Sequence, residues 1–202
     1  MTFTTAKRFT IDEYHRLADL GFLTENDRVE LIRGEIMQMA AKGTAHTNCC
    51  RDLLQELAGL LVGRAKLQCQ DPIVLPSNSE PEPDFAILRS RADNYRFALP
   101  NADDVLLVIE IADSTLKYDR ETKVPLYAEA GIPDYWIFNL IENHLEAYSE
   151  PYQDLQGSFG YSVKRIVLPN QAISLTACFA NTLPSFPNLS LNLSKVFPEM
   201  KA

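Results

Sequence analysis

Four cysteines are too few and too scattered here to build a zinc site. Cys49, Cys50, Cys69 and Cys178 include no CxxC pair, and no histidine shares metal-ligand spacing with them. Cys49 and Cys50 are neighbours in a helical pattern, where bonding to each other is geometrically poor. All four read as reduced, small, mostly buried side chains. No apolar run approaches membrane-spanning length, and the opening MTFTTAKRFT has no apolar core. A protein without membrane contact, cytoplasmic in location, is the expectation. No P-loop, GxGxxG or GxSxG is present, which removes the common nucleotide-binding and serine-hydrolase chemistries. Base is scarce as well: 19 Lys and Arg stand against 27 Asp and Glu, for a net charge of −8. Such a field repels phosphate and argues against a large nucleic-acid footprint. It does not argue against a carboxylate metal site, whose ion would offset part of the charge.

What is present suits one domain of 202 residues with a substantial core. Thr10-Ile-Asp-Glu13 has the form of a capping box opening a helix that runs to about Leu20 and stops at Gly21. VELIR and EIMQM flank Gly34 and alternate apolar with polar, as a hairpin does. Residues 44–63 carry Leu53, Leu54, Leu57, Leu60 and Leu61 at helical spacing. LQCQDPIVL has the look of an edge or bulged strand because of its proline. DFAIL follows the acidic turn SNSEPEPD, residues 89–104 read as a surface loop, and VLLVIEI is apolar enough for the middle of a sheet. A helix over residues 120–130 has Pro125 in or near its first turns, and three strands follow it, DYWIFNL, HLEAYSE and GYSVKRIV. The segment from Ala177 onward is expected to wrap the body in short turns. The order argues for a mixed α/β sheet.

Glu110 is the sharpest anomaly, a carboxylate at the end of an apolar strand, where burial without a cationic partner is costly. Asp84 stands at the mouth of DFAIL. If the two strands are neighbours, both acids converge at one sheet edge and offer the hard oxygen donors that Mg²⁺ or Mn²⁺ prefers. Lys123 sits in the following helix, placed to orient a nucleophile or to stabilise charge on a phosphate. Glu30, in the first hairpin strand, is a candidate fourth member. Each has a plainer reading: a turn or cap for Asp84, an arginine ion pair for Glu110, a solvated helix position for Lys123, the wet face of a strand for Glu30. His46 reads as a helix-start residue, His15 and His144 have no partners in view, and Tyr135 and Trp136 read as core aromatics.

Taken in order, VELIRGEI, GTAH before a helix, EPEPDFAIL, VIEIADST followed by a lysine, and YAEAGIPDYWIF resemble the Uma-two family of restriction-endonuclease-like proteins. This family belongs to the PD-(D/E)XK nuclease superfamily. The resemblance runs from Phe9 to Val196. It implies an α/β (α+β) restriction-endonuclease-like fold, a central mixed β-sheet flanked by helices, filling one domain over residues 1–202 with its core at about 9–196. It also implies roles: Asp84 as the PD aspartate, Glu110 as the second acid, the Ile111 carbonyl as a further metal ligand, Lys123 as the catalytic lysine and Glu30 as the family's early glutamate. The strict ExK spacing is absent, since Ala112 stands two residues after Glu110, and the lysine has moved to the next helix. The family's Ser-Pro-Ser-Thr run is Ala112-Asp113-Ser114-Thr115 here, and Asp113 either lends charge to the site or caps a helix. The implied activity is Mg²⁺- or Mn²⁺-dependent hydrolysis of phosphodiesters in double-stranded DNA. A homodimer would serve to cut both strands. The competing expectation is a non-catalytic, protein-binding or regulatory module that keeps the fold, which the acidic charge favours.

Overall fold

The computed structural model describes residues 4–24, 26–175 and 189–197. Helix α1 (Ile11–Asp19) begins with the expected capping box, Thr10 and Glu13 each satisfying a backbone amide of the other, and ends before Gly21 at φ +75°. Strands β1 (Val29–Ile32) and β2 (Glu35–Gln38) form a two-stranded sheet of their own. Arg33 (φ +49°) and Gly34 (φ +76°) join them in the doubly left-handed turn that matches the twist of a hairpin.

Helix α2 (Thr44–Leu61) buries Cys49, Leu53, Leu57 and Leu61, while Leu54 stays exposed on its flank. The chain then enters the main sheet: β3 (Lys66–Cys69), β4 (Phe85–Leu88), β5 (Val105–Ala112), β6 (Asp134–Asn139), β7 (His144–Gln153) and β8 (Phe159–Val167), side by side in that order. Only β5 and β6 run parallel; the other neighbours are antiparallel, so the sheet is mixed. The proline-bearing LQCQDPIVL supplies only the short edge strand β3, because Gln70 turns into left-handed backbone directly after it. All eight residues of β5 are buried, as an interior strand covered on both faces requires.

One face of the sheet, with Phe85, Ile109, Trp136 and Phe138, packs on α2 and on the small sheet of β9 (Ala172–Ser174) and β10 (Ser190–Asn192). The other face, with Val108, Tyr135, Ile137 and Tyr148, packs on the β5–β6 crossover. That crossover starts earlier than its sequence suggests. It comprises α3 (Leu116–Tyr118), a π turn (Asp119–Lys123) and α4 (Val124–Glu129). Pro125 stands in the first turn of α4, as expected, where its missing amide costs least. The π turn leads into that first turn, and Val124 N–H donates to Asp119 O, five residues back.

Loop 89–104 is ordered by Arg91, which pairs with Asp93 and Asp104 and lies 4.0 Å from the centre of the Tyr95 ring. His15, without a partner in the sequence reading, meets Glu80 at 2.8 Å. Among the described residues no helix is long and apolar enough to cross a membrane. Residues 189–197 of the segment expected to wrap the body pack on the core through Leu189, Leu191, Leu193, Val196 and Phe197, while Cys178 and the rest of that segment lie outside the described residues.

Candidate metal centre

Antiparallel pairing of β4 with β5 places Phe85 opposite Ile109, so Asp84, one residue earlier, arrives beside Glu110. The Asp84 amide donates to Glu110 Oε2 at 3.3 Å. Each carboxylate has one oxygen firmly held. Asp84 Oδ2 accepts from the Ile111 amide and meets His46 Nε2, both at 2.9 Å. Glu110 Oε1 accepts from Lys123 Nζ at 2.7 Å and from the Tyr127 hydroxyl at 2.9 Å. The other oxygens are loosely held: Asp84 Oδ1 has Gln70 Nε2 at 3.3 Å, and Glu110 Oε2 has only the long Asp84 amide contact.

The π turn aims Lys123 inward, where it is 4% exposed. Its ammonium also lies 3.2 Å from Glu30 Oε2. Glu30 is fixed in turn by the Tyr118 hydroxyl at 3.1 Å and the Glu82 amide at 3.2 Å. The sequence candidates Glu30, Asp84, Glu110, Ile111 and Lys123 thus stand in one place. The plainer readings of wet strand face and solvated helix position do not survive for Glu30 and Lys123, and the base on Glu110 is a lysine rather than an arginine.

Burial pushes Glu110 up to about 8, against the attraction of Lys123, and the charges of Asp84 and Asp119 add to the rise. Burial also raises Asp119 to about 6, although Lys123 and the Thr115 hydroxyl, 2.6 Å away, oppose it. Burial alone would raise Asp84, but His46, the Ile111 amide and Lys123 hold it below its ordinary value. For Lys123, burial is outweighed by Glu110, Glu30 and Asp119, which carry its pKa well above normal. His46 behaves alike: burial would lower it, and Asp84 raises it past its ordinary value.

These groups form the floor of a cleft of about 280 Å³. Its lining also carries the bases Arg28 and Lys42 and the acids Glu82 and Asp113. Asp113 Oδ2 would sit 2.6 Å from a Cβ at Gly43, the residue that opens α2 without a side-chain cap, so the family-atypical acid packs against that helix end. The donor set suits a hard divalent cation, with carboxylate oxygens of Asp84 and Glu110 side by side. His46, Gln70, Tyr127 and Asp119 also belong to the site, and the sequence reading did not include them. His46 precedes the leucine stripe of α2 on the same buried side, four residues before Cys50 and seven before Leu53. That spacing was the available signal. Gln70 had none.

Among the described residues a second acidic group, Glu142, His144 and Glu146, brings ligand atoms within 4.8 Å of one another. Glu146 is fully buried and already engaged: Arg120 and Lys164 pair with it, Tyr148 and Asn139 donate to it. Two cations and two further donors leave little there for a metal.

The Uma2 family model, described as "Putative restriction endonuclease", matches residues 11–184. No curated protein matches the chain in sequence. A crystal structure described as a putative nuclease belonging to DUF820, from Anabaena variabilis, superposes with a TM-score of 0.67 at 15% identity. The match covers 94% of this chain and 97% of that one. At that identity the likeness speaks for the fold.

Proposed function

The chain belongs to the Uma2 family of restriction-endonuclease-like proteins, and from that premise we propose that it is a divalent-metal-dependent nuclease that hydrolyses phosphodiesters of double-stranded DNA. One observation carries the reading. Asp84 and Glu110 stand side by side, each with one oxygen fixed by two close donors and the other held only by a 3.3 Å contact. Asp84 Oδ1 and Glu110 Oε2 are the atoms assigned to Mg²⁺ or Mn²⁺, with the Ile111 carbonyl as a third donor. The bound cation would supply a water of lowered pKa and charge neutralisation on the phosphate. Lys123 is assigned to the developing negative charge of the phosphoryl group, with Glu30 orienting its ammonium. His46 and the Ile111 amide fix the plane of the Asp84 carboxylate. Homodimerisation, placing two such clefts on opposite strands, belongs to the same proposal. Elution as a clean monomer in gel filtration at micromolar concentration counts against it.

A non-catalytic module is the second reading, and the sparse basic rim favours it. Arg33 is taken up by Glu129 at 2.6 Å, and Lys117 stands in solvent 3.9 Å from Glu121. One experiment separates the two. Mn²⁺ binding by calorimetry is measured for the wild type, Asp84→Asn and Glu110→Gln, followed by cleavage of supercoiled plasmid in Mg²⁺ and in Mn²⁺. The nuclease requires a single cation site that both substitutions abolish, and nicking that tracks it. No heat of binding by the wild type at millimolar Mn²⁺ removes the proposal.

A further inference from the structure

Two cysteines with no part in that chemistry stand beside its first acid. Cys50 lies in α2 one turn beyond His46, and Cys69 ends β3, opposite Phe85 in the β3–β4 ladder. Both thiols pack against the same core where the helix meets the sheet edge, close enough to interact with each other. The next residue, Gln70, adopts φ +54°, and its side-chain amide lies 3.7 Å from Cys50 Sγ and 3.3 Å from Asp84 Oδ1. A single amide thus touches both the thiol pair and the loosely held oxygen of Asp84. The pair is half-buried, within reach of a small oxidant, whereas Cys49 is buried in the core beneath α2.

We propose that Cys50 and Cys69 are a dithiol–disulfide couple whose oxidation weakens cation binding at Asp84 by shifting its two side-chain anchors, His46 and Gln70. The coupling to the cation rests on the metal-site reading above; the couple itself does not. The interaction with Cys50 holds the Cys69 thiol below its ordinary value, and the same interaction, with burial, raises Cys50. With Cys69 as the attacking sulfur, Cys50 is the resolving one. With a low-molecular-weight disulfide as oxidant, the Cys69 thiolate attacks one of its sulfurs and expels the other as a thiolate. Cys50 then loses its proton to solvent and attacks the Cys69 sulfur, expelling the second small thiolate. Two electrons leave the protein, and one added disulfide becomes two thiols. A covalent S–S bond is far shorter than a non-bonded contact between two thiols. Its closure draws α2 toward β3 between His46 and Gln70, the geometry on which Asp84 depends.

The test treats the whole chain with glutathione disulfide, counts thiols, maps the cross-linked peptide and measures Mn²⁺ affinity by calorimetry before and after. Two thiols should be lost, the peptides of Cys50 and Cys69 should be joined, and affinity should fall about tenfold, the range seen when outer-sphere partners of a metal ligand are disturbed. Dithiothreitol should restore it. Cys69→Ser should form no internal bridge and keep its affinity through the treatment, while Cys49→Ser should behave as wild type. Persistence of all thiols, or a bridge between other cysteines, overturns the couple. A Cys50–Cys69 bridge with unchanged Mn²⁺ affinity overturns the coupling. Reduced wild type that binds no Mn²⁺ overturns the metal-site reading and the coupling with it, and the peptide map still decides the couple.

Discussion

Lys123 Nζ lies 2.7 Å from Glu110 Oε1, an ion pair in which the acid is 5% exposed and the base 4%. The lysine assigned to the phosphate is therefore committed to protein carboxylates at rest, and a substrate must share it. Removing it leaves Glu110 and Glu30 buried without a cation. Lys123→Met should cost about 3 to 5 kcal/mol in urea unfolding at pH 9, above the pKa of Glu110. A loss below about 1 kcal/mol would mean that water reaches these acids.

Glu110 gives the site a pH dependence of definite sign. Its folded pKa of about 8 lies above the ordinary 4.5. Between those values the folded chain keeps a proton that the unfolded chain has released, so stability falls as pH rises through that window. The slope is at most about 1.4 kcal/mol per pH unit for one proton. In a chelator, Glu110→Gln should show a flatter stability profile than wild type between about pH 5 and 8, the window set by these two pKa values. Parallel profiles would show that Glu110 does not titrate in this range.

Glu146 should behave in the opposite way. Burial would raise it, but Arg120, Lys164, Tyr148 and Asn139 hold it well below its ordinary value. Its stabilisation is present above the usual carboxylate range and lost as pH falls below it. Glu146→Gln should destabilise by about 1 to 3 kcal/mol at pH 7, because the half-exposed Arg120 and Lys164 lose a buried partner while Arg120 keeps Glu142. His144→Ala should leave Mn²⁺ affinity unchanged in calorimetry, and a weaker site in that variant would assign the ion to Glu142, His144 and Glu146 instead.

Gly34 has no room for a side chain. A Cβ there would lie 2.8 Å from the Phe9 carbonyl oxygen, at a left-handed φ of +76°. Gly34→Ala should cost about 1 to 3 kcal/mol from backbone strain, read as a lower Tm. An unchanged Tm would show that the stretch before α1 yields freely.

The elements with strong periodicity or caps were legible in the sequence: the Thr10 box, the leucine stripe of α2, the apolar β5, the Gly34 hairpin. The candidate metal centre was legible as far as its charges were anomalous, since Glu110 in an apolar strand and Asp84 at a strand mouth stand out without a structure. Pro125 was legible as a first-turn residue, whereas the π turn that precedes it is announced by no periodicity. Gln70 was silent for a different reason. Its place depends on where β3 ends and on a left-handed residue that is not glycine, and tertiary packing decides both. The nearness of Cys50 to Cys69 was equally hidden, because nothing in their spacing says that α2 meets the end of β3 there.

Glu110, Ile137 and Glu146 occupy one row across β5, β6 and β7, and the π turn sends Lys123 to the first and Arg120 to the last. Each residue of a helix turns the chain by about 100°. A one-residue deletion between Leu116 and Val124 would rotate both bases off their acids at once, stranding two buried charges with one edit. The β7–β8 tip, where Leu155 is wholly exposed, has no such bookkeeping and should accept an inserted tag. For grafting or circular permutation, the crossover is the segment to leave intact, and the tip is the place to cut.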